Sequence, residues 1–103
     1  MQYDQHFDGK IISPRIGEEF RIALPETRTA GYRWTTVQNA APRCELLQEQ
    51  SAPNTGTAGG SGIHIWRFKA VSSGTGKIEL HYGRSWKSAG PEQTFTVEVQ
   101  IRP

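Results

Sequence analysis

The residues best suited to contact a partner lie in three loops made of glycine, proline and small polar residues. The loops span residues 25–31, 53–62 and 83–91. Pro25 fixes one backbone angle, and Gly31 can adopt conformations that other residues avoid. The third loop contains Arg84 and Trp86, and an exposed tryptophan beside an arginine is a frequent anchor pair in protein–protein interfaces. These residue types indicate binding of a partner; the alternative is that the loops are only flexible connections.

The sequence shows none of the patterns that carry enzyme chemistry or hold a cofactor. It has no Ser/His/Asp grouping spaced as a triad and no pair of carboxylates within a loop. His6, His64 and His81 lack the spacing of metal ligands. The glycines of the second loop resemble a phosphate-binding loop, but the P-loop lysine, its Ser/Thr and the following helix are missing. We therefore expect no enzyme activity, no metal and no cofactor.

Hydrophobic and polar residues alternate along most of the chain, which is typical of half-buried β-strands. The clearest alternations begin at Phe20, Tyr32, Trp66, Ile78 and Phe95. Weaker strands are predicted near residues 9–13 and 44–50, and a short helix is an alternative in the second of these, where Leu46 and Leu47 are adjacent. About seven short strands in 103 residues, separated by turn residues, predict an all-β, immunoglobulin-like β-sandwich.

Length and composition indicate a single domain that covers residues 1–103. With 35% hydrophobic and 10% aromatic residues, the chain has enough apolar material for one core. We expect residues 1–8 to form a flexible N-terminal tail. Because Cys44 is the only cysteine, an intramolecular disulfide is excluded. A buried structural thiol is the simplest interpretation of Cys44, with an intermolecular bridge or a reactive thiol as alternatives.

Charge and hydropathy argue against nucleic acid and membrane as partners. The formal net charge is +2, from 12 basic and 10 acidic residues, and there is no run of Lys or Arg. No apolar stretch approaches the ~20 residues of a membrane helix. The N-terminal residues are polar and show no signal peptide, which indicates a cytoplasmic protein, or a periplasmic or secreted one if a signal has been removed. We expect a monomer.

The order of the strands predicts where the three loops lie. In a sandwich whose strands run alternately up and down, every second loop is at the same end. The three loops follow the second, fourth and sixth predicted strands, so they should be neighbours. The shorter loops at residues 14–17, 39–43 and 72–76 should lie at the other end. Loops longer than closure requires usually exist for binding, so one end of the sandwich is the predicted binding edge.

The three loops resemble the motifs of the chagasin family, the proteinaceous inhibitors of papain-like cysteine peptidases. That family is marked by Asn-Pro-Thr-Thr-Gly-Tyr/Phe, Gly-x-Gly-Gly and Arg-Pro-Trp/Phe in three loops of an immunoglobulin-like sandwich. The corresponding segments here are Thr27-Arg28-Thr29-Ala30-Gly31-Tyr32, Gly59-Gly60-Ser61-Gly62 and Arg84-Ser85-Trp86. Order, spacing and strand context agree from about residue 19 to residue 101.

Five positions depart from the family motifs. They are Thr27, Arg28, Ala30, Ser61 and Ser85. Two of these departures, Arg28 and Ser85, replace prolines of the motifs. The loss of proline removes rigidity, so binding should cost more ordering entropy.

The resemblance implies a reversible inhibitor that inserts three loops into the cleft of a papain-like cysteine peptidase. The first loop would reach the catalytic Cys and His, where Thr29 is small and polar enough to fit. The second would present nearly bare backbone along the substrate-binding side, and Arg84 and Trp86 would grip the opposite side. The implied peptidase-binding residues are Thr27, Arg28, Thr29, Ala30, Gly31, Gly59, Gly60, Ser61, Gly62, Arg84, Ser85 and Trp86.

Other interpretations of these residues remain open at this point. The same scaffold could be a non-inhibitory binding module, such as an adhesion, carbohydrate or assembly domain, because immunoglobulin-like folds have many functions. Tyr32 and Trp34 are expected in the core and would support the first loop indirectly. Glu26 could simply be solvated, and His81 is most simply a surface residue. His64 is either at the rim of the interface or an ordinary strand residue.

Overall fold

The computed structural model of the protein describes residues 2–27, 32–53, 61–84 and 93–103. Eight β-strands and one short 3-10 helix, residues Gln5–Phe7, are found in these ranges. The strands are β1 (Gln2–Tyr3), β2 (Ile11–Ile12), β3 (Glu19–Thr27), β4 (Tyr32–Asn39), β5 (Cys44–Pro53), β6 (Ser61–Ala70), β7 (Gly74–Arg84) and β8 (Gln93–Ile101). None of the helical structure in the described ranges is long and apolar enough to cross a membrane.

The strands form two sheets of four, in the orders β1-β3-β6-β5 and β2-β8-β7-β4. The long strands pair in antiparallel fashion, and the two-residue strands β1 and β2 add parallel edges. The inward face of each sheet packs on the other, which is the architecture of a β-sandwich. The predicted all-β sandwich is therefore confirmed. The strand count rises from about seven to eight because β1 precedes the first predicted strand.

Aromatic contacts connect the two sheets in the absence of any disulfide. Within the first sheet, Phe20 and Phe68 are cross-strand partners whose rings stack with centroids 5.4 Å apart. Trp34 of one sheet meets Trp66 of the other edge to face, at 6.1 Å between ring centroids. The fully buried residues with the largest side chains are Trp66, Phe20, Phe68, Phe95, Ile22, Leu24, Ile78, Leu80, Val97 and Val99. The inward positions of the predicted strands thus form a single core.

Cys44 is a buried free thiol at the start of β5, as the sequence analysis expected. Burial raises its pKa to about 11, because the surroundings disfavour the thiolate. The thiol therefore stays protonated at neutral pH and behaves as a small apolar side chain.

Residues 2–8 belong to the segment, residues 1–8, that the sequence predicts to be a flexible tail, and in this structure they contact the domain. Tyr3 lies edge-on to Phe7 at 4.5 Å and to Phe20 at 6.3 Å between ring centroids. β1 also pairs with β3, with Tyr3 opposite Ile22. Tyr3 and Phe7 are thus two aromatic residues of a mostly polar segment that pack against the core, and the flexibility of residues 1–8 stays a prediction.

The ambiguous segment that contains Leu46 and Leu47 is a strand, so the helical alternative is wrong. β5 pairs with β6 along its length, and the register shifts between Leu46 and Gln48. This β-bulge accommodates one extra residue, which explains why two leucines stand side by side in a strand whose apolar residues otherwise alternate.

Candidate functional site

In the first sheet, the strands that border two of the predicted loops end side by side. Thr27, the last residue of β3, pairs with Ser61, the first residue of β6. Pro53, the last residue of β5, pairs with Gly62. The first loop therefore leaves this sheet at the same place where the second loop leaves and re-enters it.

The second sheet brings the third loop to the same end. Tyr32 begins β4 and pairs with Arg84, the last residue of β7. Trp34 joins this sheet to the first, because its indole Nε1–H donates a hydrogen bond of 2.9 Å to the carbonyl oxygen of Pro25 in β3. Since this bond lies near the ends of β3 and β7, all three loops start from one end of the sandwich, as the strand order predicted.

The opposite end is closed by short connections. Arg43, which directly precedes β5, donates from Nη1 to the carbonyl oxygen of Ser73 at 2.9 Å. Its neighbour Cys44 pairs with Ala70 at the end of β6. Ser73 therefore lies far from the strand ends that carry the three predicted loops.

Beneath those strand ends lies a buried carboxylate, that of Glu26. Only 3% of this residue is exposed, so the suggestion that Glu26 is solvated is wrong. Its Oε1 accepts a hydrogen bond from Ser51 Oγ at 2.9 Å. Its Oε2 accepts from the backbone N–H of Trp34 at 3.3 Å and lies 2.9 Å from His64 Nδ1. These donors come from three different strands, β4, β5 and β6.

His64 is held between two carboxylates. Its Nδ1 faces Glu26, and its Nε2 lies 2.7 Å from Oε2 of Glu49. A neutral imidazole has only one N–H, so the ring can donate to both carboxylates only as the imidazolium. His64 is a buried residue of β6, with 9% exposure.

These groups have the composition of a serine-hydrolase triad but not its arrangement. The Ser51 hydroxyl donates to Glu26, although its oxygen also lies 3.3 Å from His64 Nδ1. Both ring nitrogens of His64 are directed at carboxylates, so the ring has no free nitrogen to take a proton from Ser51. Within the described ranges there is also no cluster of three or more His, Cys, Asp or Glu that could hold a metal ion.

Hydrogen bonds determine the charge state of Glu26. Burial alone would raise its pKa, since a carboxylate loses hydration in an apolar environment. The hydrogen bonds from His64, Ser51 and the Trp34 N–H, together with the charge of His64, outweigh burial and hold the pKa below its ordinary value. Glu26 is therefore an ionised carboxylate at neutral pH.

An aromatic column links this network to the second sheet. The ring of Tyr32 stacks on Tyr82 at 5.7 Å, and Tyr82 contacts Trp34 at 5.2 Å. Trp34 meets Trp66 at 6.1 Å, and Trp66 stacks on the His64 ring at 4.2 Å between centroids. Trp34 lies in the core as predicted. Tyr32 does not: it is only partly buried and stacks on Tyr82 beside the core.

Comparison with known proteins decides the family. The family model described as chagasin family peptidase inhibitor I42 matches residues 13–99. This chain belongs to the chagasin family. It is 31% identical over 104 residues to amoebiasin-1 of Entamoeba histolytica, and the match covers 99% of this chain and 100% of amoebiasin-1. The resemblance seen in the loop motifs is thereby confirmed, and so is the prediction of an inhibitor rather than an enzyme.

Two solved structures share the fold. The cysteine protease inhibitor EhICP2 of Entamoeba histolytica superposes with a TM-score of 0.85 at 24% identity, covering 98% of this chain and 93% of EhICP2. PbICP-C, solved in complex with falcipain-2, gives a TM-score of 0.65 at 17% identity, covering 99% of this chain and 90% of PbICP-C. Both likenesses support the sandwich architecture of the chagasin-family chain.

The structure describes only part of the three family motifs. Thr27, Ser61, Gly62 and Arg84 lie at the strand ends described above. The other predicted peptidase-binding residues lie outside the described residues: Arg28, Thr29, Ala30, Gly31, Gly59, Gly60, Ser85 and Trp86. Their contact with a peptidase remains a prediction from the motifs.

Gly62 has a structural reason to be glycine that does not involve a peptidase. A Cβ atom added at this position would lie 2.7 Å from the carbonyl oxygen of Ala52 and 3.6 Å from that of Glu26. The first distance is too short for a carbon, and backbone cannot move aside as a side chain can. The last glycine of this chagasin motif therefore permits β5 and β6 to approach closely at the base of the second loop.

Glu26 and His64 form a buried pair that the sequence patterns above do not include, although the spacing of these residues indicates it. Glu26 continues the inward positions of β3 after Ile22 and Leu24, and His64 precedes Trp66 on the inward side of β6. A charged residue at an inward position can be buried only with partners, so this spacing indicates the Glu26–His64 pair, though not its partners on β5.

Proposed function

We propose that this protein is a reversible inhibitor of papain-like cysteine peptidases that inserts three loops from one end of its sandwich into the active-site cleft. The observation that carries the proposal is the arrangement of the strand ends in a chagasin-family chain. Thr27 and Ser61 pair in one sheet, Tyr32 and Arg84 pair in the other, and a hydrogen bond from Trp34 joins the sheets between them.

The known relatives support this choice of target. EhICP2 is described as a cysteine protease inhibitor, and PbICP-C was solved in complex with falcipain-2. Three loops that start from one end of the sandwich also suit a cleft, because a groove that receives an extended substrate can be filled from one edge. Rigid strands that hold the loop bases reduce the conformational entropy lost on binding.

We assign the contacts to the three chagasin motifs. Thr29 would lie near the catalytic thiolate, where a small polar side chain fits. The backbone of residues 59–62 would hydrogen-bond along the cleft as a substrate does. Trp86 would supply apolar area on the far side, with Arg84 as a charged hydrogen-bond donor. Cleavage is avoided if no peptide bond of the loops reaches attack geometry.

Inhibition of papain, measured with a fluorogenic substrate, tests the proposal. We expect the parent protein to inhibit reversibly. Trp86→Ala should weaken inhibition by about 30-fold, which corresponds to the ~2 kcal/mol of a central aromatic anchor. Thr29→Arg should abolish inhibition by blocking entry near the nucleophile. Thr75→Arg, an exposed residue at the opposite end, is the matched control and should inhibit as the parent does.

Two results would overturn the proposal. If Trp86→Ala and Thr29→Arg both inhibit as well as the parent, the loops are not the contact surface. If the parent inhibits none of several papain-like peptidases, the chain is a non-inhibitory binding module on the same scaffold.

A further inference from the structure

Glu26 connects the strands that border the first and second loops. It lies on β3, one residue before the end of that strand. Its carboxylate bonds to the N–H of Trp34 in β4, the hydroxyl of Ser51 in β5 and the ring of His64 in β6. The first loop joins β3 to β4, and the second joins β5 to β6. One side chain thus contacts the strands on both sides of both loops.

We propose that Glu26 is a positioning residue for inhibition, whose carboxylate fixes the bases of the first and second loops relative to each other. This inference rests on the proposed function, because it assigns Glu26 a part in placing loops that enter a peptidase cleft. Glu26 itself is buried and need not touch the peptidase.

Directional bonds are needed at this place because hydrophobic packing is not directional. The core residues below hold the sheets together through apolar packing, which sets no donor–acceptor geometry at the strand ends. A carboxylate whose two oxygens accept from three strands permits only one arrangement of those strands. Two loops that must enter one cleft together need such precision, since a misplacement of ~1 Å can cost a large part of the binding energy.

The cost of burying the charge also argues for a role beyond stability. A buried ion pair is often no more stabilising than apolar residues of the same volume, because both ions lose hydration. Here the carboxylate of Glu26 and the ring of His64 are only 2% and 11% exposed, whereas Glu49, on the other side of that ring, is 39% exposed. Buried ionic groups are best known for selecting one arrangement of the chain, and in this domain the selected arrangement is that of the strand ends.

Glu26→Gln is the central test. Glutamine keeps the size and one acceptor oxygen but loses the charge and presents an N–H₂ group to donors that previously bonded to carboxylate. We expect the inhibition constant for papain to rise at least tenfold at a temperature where the variant is fully folded. The matched control is Glu79→Gln. Glu79 pairs with Lys77 and His81, both on its own strand β7, so its loss should change inhibition less than twofold.

Ser51→Ala provides a second, milder test that leaves the buried charge in place. It removes one bond to Glu26 from an exposed position, so the variant should fold and should weaken inhibition by about threefold. In the Glu26→Gln background the same substitution should have no further effect. Measured as inhibition at a temperature where all variants are folded, such coupling is expected if both residues act on the loops through the same hydrogen bond.

The outcomes separate this inference from the proposed function. If the parent inhibits papain and Glu26→Gln inhibits equally well, the positioning role is wrong while the inhibitor function stands. If Glu26→Gln does not fold, Ser51→Ala decides, and unchanged inhibition by that variant overturns the role. If the parent inhibits no papain-like peptidase, the inhibitor function fails and the positioning role fails with it.

Discussion

Replacing Trp34 by alanine tests whether one aromatic residue holds the two sheets together beneath the loops. Trp34 is 6% exposed, meets Trp66 at 6.1 Å and Tyr82 at 5.2 Å between ring centroids, and bonds to the Pro25 carbonyl at 2.9 Å. Truncation removes all three contacts and leaves a cavity between the sheets. Such a change costs about 3–5 kcal/mol.

That cost is a large part of the total for a domain of this size. Small domains are stable by about 5–15 kcal/mol, and each kcal/mol corresponds to about 4–8 °C in melting temperature. Trp34→Ala should therefore lower the melting temperature by about 12–40 °C. Trp34→Phe keeps an aromatic ring in the core, so it loses less packing energy than Trp34→Ala. It also loses the N–H, and the missing hydrogen bond costs only about 0.5–1.5 kcal/mol.

Chemical denaturation followed by circular dichroism measures both free energies of unfolding. The free energy of unfolding of Trp34→Ala should lie further below that of Trp34→Phe than the value for Trp34→Phe lies below the parent's. If Trp34→Ala lies within about 1 kcal/mol of the parent, the indole does not hold the sheets together. If both variants lose the same amount, the hydrogen bond to Pro25 matters and the packing does not.

Three further perturbations follow from particular contacts. Cys44, whose pKa is about 11, should resist a thiol reagent at neutral pH until the protein unfolds; labelling faster than unfolding would contradict its burial. Gly62→Ala should destabilise the domain by about 1–3 kcal/mol, because the new Cβ would meet the Ala52 carbonyl oxygen at 2.7 Å; a melting temperature equal to the parent's would show that β5 and β6 separate easily. Burial raises the pKa of Glu26, but its hydrogen bonds outweigh burial and hold the pKa below the ordinary 4.5. The ionised carboxylate therefore stabilises the fold above pH 4.5. This stabilisation is lost as the pH falls through the pKa of the folded state. Urea midpoints from about pH 6 to pH 3 should therefore fall less steeply for Glu26→Gln than for the parent, and equal slopes would refute the ionised, hydrogen-bonded carboxylate.

The architecture could be predicted because period-two alternation reports directly on burial. Phe20 and Ile22 on β3, like Trp66 and Phe68 on β6, stand at alternate positions, and all four are buried. Alternation says less about segments where single residues make the contacts. In the polar N-terminal segment, Tyr3 packs edge-on against both Phe7 and Phe20, and β1 pairs with β3.

The buried network could not be completed from the sequence, because it depends on the register of β5. Cys44 and Leu46 lie opposite Ala70 and Phe68 on β6, so uninterrupted alternation would place residues 48 and 50 on the same face. The bulge after Leu46 reverses this alternation and puts Ser51 opposite His64 instead.

That reversal also gives the bulge a part in the site. Without the extra residue, the amides of Gln48 and Gln50 would take the face that Glu49 and Ser51 now occupy, and neither would supply a second carboxylate to His64. The charge balance around Glu26 therefore depends on a backbone irregularity several residues away, for which the only sign in the sequence is the pair of adjacent leucines. Sequence patterns identify which residues are buried, but the partners that a buried charge requires are determined by strand register.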